Sequence, residues 1–206
     1  MPKTIVSRWE WRIFGKDFAS AESAIKKYPL GNIKKSEEFY ILSRLKNDNI
    51  KIREDVVEVK VLQAINEHGL EQWSPAARQR LPISAASLPE LFKHIGSIPI
   101  NLRQNHYTRN QLLQELTQYS KLLKVVKVKK HRNIYVINQC IVEIAEVGFA
   151  GIPFKSICVE FTDPEIVLRT VRELGLEQQR NVNYVKALKT LFEPVRSTLY
   201  AAIVSQ

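Results

Sequence analysis

The chain has 206 residues, 45% of them hydrophobic and 25% charged, the composition of a globular protein able to bury an ordinary core as a single domain, 1–206. Its 31 lysines and arginines outnumber 21 acids, giving a net charge of +10 and an attraction to anions: nucleic acid, a membrane surface or phosphorylated small molecules. No apolar run approaches the roughly 20 residues of a membrane span, and residues 1–6 lack the apolar stretch of a signal peptide, so the expectation is a cytoplasmic protein without a membrane partner.

Residues 5–14 read as a first strand. Side chains two apart on a strand share a face, so Arg8, Glu10 and Arg12 lie on one side and Trp9 and Trp11 on the other. Residues 37–44 read as a second strand, with Phe39 to Leu42 between charges. Residues 50–53 and 56–62 read as a hairpin with Glu54-Asp55 near its turn. Symmetry about a point between 55 and 56 would set Arg53 opposite Glu58 and Lys51 opposite Lys60. Like charges across a strand pair are destabilising, which an anion over that face would relieve. A solvated outer face fits the same residues.

Residues 70–81 read as a strand broken near Ser74-Pro75. Residues 87–95 read as a short helix with Ser87 as cap, Pro89 at its start and Gly96 as its stop. Residues 108–119 fit helix or strand, with helix preferred. Residues 122–137 form a long strand turning at Asn138-Gln139. It holds the densest basic run, Lys124, Lys127, Lys129, Lys130, His131 and Arg132, interleaved with valines, the pattern of a strand rather than of a basic tail. Residues 140–147 and 154–161 follow as strands. Asp163 caps a helix that has Pro164 in its first turn and ends near Leu174-Gly175. A second helix covers 182–191, Glu193-Pro194 breaks it, and 196–204 form a last short helix, so that helices occupy about 164–206.

Ionic groups of both signs on one face of successive strands, with apolar groups on the other, suit a closed sheet with a polar, mostly basic lumen and a packed outside. Such a lumen could hold a polyanion, with or without a divalent metal. Seven glycines and the lack of any Walker, G-x-G-x-x-G, G-x-S-x-G or H-E-x-x-H motif exclude the common phosphate loops and hydrolase signatures. Cys140 and Cys158, on separate strands, read as buried thiols rather than a metal knuckle or redox pair. Glu10, Glu143 and Glu160 are the candidate metal ligands. Magnesium or manganese needs several carboxylate oxygens at close range, and the positions two beyond Glu143 and Glu160 are Ala145 and Thr162.

Several segments resemble the CYTH family, the triphosphate tunnel metalloenzymes, which include thiamine, inorganic and RNA triphosphatases and class IV adenylate cyclases. Arg8-Trp-Glu10-Trp-Arg12 is similar to the family's E-x-E-x-K opening strand. Residues 49–60 are similar to its R-x-R strand and the lysine-bearing strand after it, and Lys130-His-Arg132 to the basic strand of the second half. Val142 to Val147, Val159 to Thr162 and Asn183-Tyr184 resemble its later acidic strands and closing helix.

The resemblance covers about residues 4–190. It implies an α+β protein built on an antiparallel eight-stranded β-barrel, or tunnel, with flanking helices. It also implies a triphosphate or polyphosphate ligand held by Arg12, Lys51, Arg53, Lys60, Lys130 and Arg132. Mg2+ or Mn2+ would sit on Glu10 and Glu160, with Glu143 a weaker candidate. Arg8, Ala145 and Thr162 stand where the family has acids. The sequence therefore points to a polyphosphate-binding protein with weak or no catalysis. An active metal-dependent triphosphatase or adenylate cyclase is the alternative, and a nucleic-acid-binding protein a further one.

Overall fold

Alternation along the strands builds the wall of a closed barrel. The computed structural model describes residues 6–149 and 151–192. Its long strands are β1 (Arg8–Gly15), β2 (Leu30–Ser43), β3 (Asn49–Arg53), β4 (Val56–Ile65) and β5 (Glu71–Arg80). A small pair, β6 (Ile83–Ser84) and β7 (His106–Tyr107), precedes β8 (Leu123–Ile137), β9 (Cys140–Phe149) and β10 (Ile152–Phe161). The helices are α1 (Ala19–Ile25), α2 (Leu88–Phe92), α3 (Arg109–Thr117), α4 (Pro164–Glu173) and α5 (Tyr184–Phe192). The eight long strands close in the order β1-β10-β9-β8-β2-β3-β4-β5, with β5 returning antiparallel to β1. The expected eight-stranded antiparallel barrel with flanking helices is the fold observed.

Contacts within the chain divide it into two compact units, and β2, β4, β5 and β8 run through both. In the first, made of residues 1–36, 62–74 and 129–206, Trp11, Ile13, Val142, Ile144, Ile157 and Val159 turn one face of β1, β9 and β10 against Val167, Leu168 and Val171 of α4. In the second, residues 37–61 and 75–128, Ile41, Ile50, Ile52, Val57 and Val59 pack on Leu88 and Leu91 of α2 and Leu112 and Leu116 of α3. Each core lies on the helix-covered outer face of its strands. The alternate residues of those strands must then point inward.

The 51–60 hairpin corrects the expected register. Glu54 and Asp55 both have positive φ, 49° and 54°, the signature of a two-residue type I′ turn whose twist matches the strands it joins. Closing on those two residues sets Arg53 opposite Val56, Lys51 opposite Glu58 and Lys60 opposite Asn49. Lys51 therefore faces an acid, not Lys60, and the like-charge argument drawn from that pairing falls.

Three other expectations need correction. β5 runs unbroken through Ser74-Pro75. Pro75 lies just past Trp73, the last residue paired with β1, so on that side its missing N–H breaks no ladder bond. Ser87 does not cap α2; its hydroxyl bonds to that of Ser84 at 2.9 Å. The first half of β2 and all of α1 escaped the sequence reading, because 30–36 are mostly exposed and polar and α1 is only about two alanine-rich turns. The helix expected at 196–204 and the break at Glu193-Pro194 lie outside the described residues.

Candidate anion site

In the first unit, Glu71 of β5, Glu10 of β1 and Glu160 of β10 stand directly opposite one another, three acids in one row on the inner face. The next row holds Arg12, Cys158 and Glu143. Neighbouring like charges repel, and each acid is offset by its own cation. Arg8 Nη1 donates to Glu160 Oε1 at 2.8 Å, and Arg12 Nε donates to Glu10 Oε1 at 3.0 Å. Lys186 Nζ donates to Glu71 Oε1 at 2.6 Å, and Asn183 Nδ2 and Trp73 Nε1 donate to the same carboxylate.

Arg12 lies at the centre of this unit's inner face and is only 7% exposed. Its Nη1 donates to Glu143 Oε1 and to Ser156 Oγ, both at 3.3 Å. Burial works against its charge, but the carboxylates of Glu10 and Glu143 beside it oppose that, and its pKa stays above the usual value. Arg132 reaches Glu143 Oε2 at 3.7 Å and donates to Ser36 Oγ at 3.1 Å. Lys130, two residues earlier on β8 and buried, lies 3.5 Å from the Tyr184 ring centroid, and Arg12 Cζ lies 4.7 Å from the same ring. Cys158, beside Arg12, is a thiol whose pKa burial pushes well up, so it supplies no thiolate.

The chain before α5 is fixed here by an interrupted ladder. β5 pairs with β1 only as far as Glu10 opposite Glu71, so the backbone of Arg12 has no partner on that edge from β5. Asn181 and Val182 take the place. Asn181 Oδ1 accepts from Arg12 N at 2.8 Å, Val182 N donates to Arg12 O at 2.7 Å, and Asn181 Nδ2 donates to Glu10 O and Gly69 O. That splice delivers Asn183 and Tyr184 to the row of acids and to Arg12.

The second unit carries a separate ionic cluster. Glu38 is fully buried and receives Lys51 Nζ at 3.2 Å and Arg53 Nη1 at 3.7 Å. Arg53 Nη2 donates to both oxygens of Glu58 at 3.1 Å, Lys51 reaches Glu58 at 3.7 Å, and Arg78 reaches it at 3.9 Å. Burial lowers the Lys51 pKa; Glu38 and Glu58 oppose the shift, and Arg53 and Lys60 add to it. Burial likewise opposes the charge of Arg53, but Glu58 and Glu38 hold its pKa above the usual value. Lys60 is half-buried and forms no ion pair among the described residues.

The structure thus places Arg12, Lys130 and Arg132 on the inner face of the first unit, and Lys51, Arg53 and Lys60 on that of the second. Glu10, Glu143 and Glu160 also lie on the inner face, Glu10 directly opposite Glu160. Among the described residues no three His, Cys, Asp or Glu side chains form a metal-binding set. Magnesium or manganese draws several oxygens to about 2.0–2.2 Å. Here each carboxylate is turned toward a guanidinium, and Ala145 and Thr162 add no acid. The residues present do not fit such an ion.

Against known proteins, no family model and no curated protein matches the chain. Solved structures do. The PH1012 protein of Pyrococcus horikoshii is 20% identical, covering 86% of this chain and 97% of its own, with a TM-score of 0.49. A Bacillus halodurans protein described as a "putative adenylate cyclase" is 15% identical over 91% and 99%, with a TM-score of 0.48. HpAC1 of Hippeastrum, described as having a dominant triphosphatase activity, is 12% identical over 82% and 88%, with a TM-score of 0.44. The fold of this chain is a closed eight-stranded antiparallel barrel with flanking helices. Of the motifs that resemble the CYTH family, those at 8–12, 49–60, 130–132, 142–147 and 159–162 fall on or at the ends of the barrel strands, and Asn183-Tyr184 stands at the start of α5, as the resemblance implied.

Sequence reasoning missed Glu71, Glu38 and Lys186. Glu71 opens a strand two residues before Trp73, on the same face, and only strand pairing puts it in line with Glu10. Glu38 sits beside Glu37 in the sequence, and nothing local tells which of the two points inward.

Proposed function

We propose that this chain binds a linear polyphosphate, such as tripolyphosphate or a triphosphate ester, on the inward basic residues of its barrel, with little or no hydrolysis. One observation carries the reading. Arg12, Lys130 and Arg132 are held together on the inner face of one unit, two of them buried, and burying cations is unfavourable unless anions meet them. Glu143 lies against two of them, 3.3 Å from Arg12 and 3.7 Å from Arg132, longer than the 2.7–2.9 Å typical of a strong charge-assisted bond. Phosphate oxygens accept from guanidinium at the shorter distance and would displace Glu143 without breaking a strong contact.

Weak turnover follows from the acids. Phosphoryl transfer needs charge stabilisation at the phosphate and a positioned water, commonly through a metal. Glu10 and Glu160 are engaged by Arg12 and Arg8, and Cys158 is no nucleophile. The second unit's Lys51, Arg53 and Lys60 belong to the proposal as a separate basic set.

Tripolyphosphate, thiamine triphosphate and ATP titrated into the protein by calorimetry, with released phosphate read in the same samples, test the proposal. Binding of at least one of the three, weakened about tenfold or more in Lys130→Gln and Arg132→Gln, is expected. Unchanged affinity in both variants would remove these residues from the site.

A further inference from the structure

We propose that Arg8 is a built-in substitute for a divalent cation, so that the polyanion is held without metal; this rests on the polyphosphate reading above. The argument starts from the row Glu71, Glu10, Glu160. Three acids in one row across three adjacent strands, Glu10 opposite both Glu71 and Glu160, set like charges side by side and call for cations. Side chains supply them, each acid having its own: Lys186 on Glu71, Arg12 on Glu10, Arg8 on Glu160.

Arg8 is suited to a second task. It shares the inner face of β1 with Glu10 and Arg12. A single N–H of its guanidinium is engaged among the described residues, to Glu160, and its side chain is 45% exposed. A guanidinium has five N–H donors in a planar fork that matches phosphate, so four remain for an anion. Arg12 differs: it is 9% exposed at the side chain and spends its donors on Glu10, Glu143 and Ser156. Arg8 therefore stands between a carboxylate and the anion as a metal ion would, with one positive charge. It cannot lower the pKa of a water or bridge oxygens as a Lewis acid does, which separates binding from turnover.

The full-length protein is titrated with tripolyphosphate in EDTA and again with excess MnCl2, and free Mn2+ is followed by its EPR signal in protein without phosphate. Wild type is expected to bind tripolyphosphate at least as tightly in EDTA as with manganese, and to leave the Mn2+ signal undiminished. Arg8→Gln is expected to bind about tenfold more weakly in EDTA while melting within a few degrees of wild type. Wild-type binding that requires manganese, Mn2+ uptake by the unliganded protein, or wild-type affinity in Arg8→Gln would overturn the inference and leave polyphosphate binding standing. Absence of tripolyphosphate binding in both EDTA and manganese would instead sink the proposed function, and the role of Arg8 with it.

Discussion

Arg12 ties β1 to three acceptors on its own face and, through its backbone, to the segment that delivers α5. Removing its charge leaves Glu10 and Glu143 short of a cation in a buried setting, a class of change that costs about 3–5 kcal/mol. Arg12→Gln is expected to lower the urea midpoint strongly, whereas Arg8→Gln, at an exposed pair, is expected to change it by under about 1 kcal/mol.

A second residue-level device lies on α1. Glu22 accepts from Lys155 at 2.5 Å and from Lys26 at 2.8 Å. Burial would raise its pKa, but those two lysines outweigh burial and lower it. Its contribution is therefore present above the ordinary carboxylate value, about 4.3, and is lost as pH falls through its lower folded value. The Lys155 pKa is raised, chiefly by the hydrogen bond to Glu22, with burial opposing; its share is present below about 10.4 and is lost as pH rises through its higher folded value. The melting-temperature difference between wild type and Glu22→Gln should be constant from about pH 5 to 10 and shrink below about pH 4. A difference that persists undiminished at pH 2 would contradict this. At this scale the sequence told which side chains share a strand face, as for Glu10 and Arg12. It did not tell which residues meet across strands, as Glu10 does with Glu71 and with Glu160, because that depends on register.

The elements formed largely where local chemistry is strong. Asp163 accepts from Glu165 N at 2.9 Å with Pro164 in the first turn, and that signal placed α4 correctly. Thr108 and Gln111 form a reciprocal capping box, which settles 109–117 as helix. Thr108→Ala should cost about 1 kcal/mol, read as a drop of about 2–4 °C in melting temperature. The turn between β8 and β9 puts Asn138 and Gln139 at φ of 48° and 70°. Gln139 is exposed and bears a side chain where glycine is preferred, so Gln139→Gly should stabilise by about 1 kcal/mol; a destabilised variant would contradict the turn assignment. The hairpin at Glu54-Asp55 misled the reading because two-residue and longer turns look alike in sequence, and a shift of the turn centre by one residue moves every cross-strand partner by two.

Across the whole molecule, a closed sheet with ionic groups inside and a packed outside was readable from charge alternation, and the eight strands with flanking helices from the family resemblance. The two cores were not, since each gathers segments far apart in the chain. The net charge of +10 divides by face on β8: Lys127 and Lys129 are exposed on the outside, whereas Lys130 and Arg132 point inward. An inward-facing basic set favours a slender anion over a duplex, which would need its cations displayed on an outer surface. Calorimetric titration of tripolyphosphate into the wild-type protein, with inorganic phosphate assayed in the same cell after manganese is added, tests the central claim most directly. The account predicts saturable binding in EDTA that Arg132→Gln weakens, with little or no phosphate released. No binding under either condition, or continuous phosphate release once manganese is present, would contradict it.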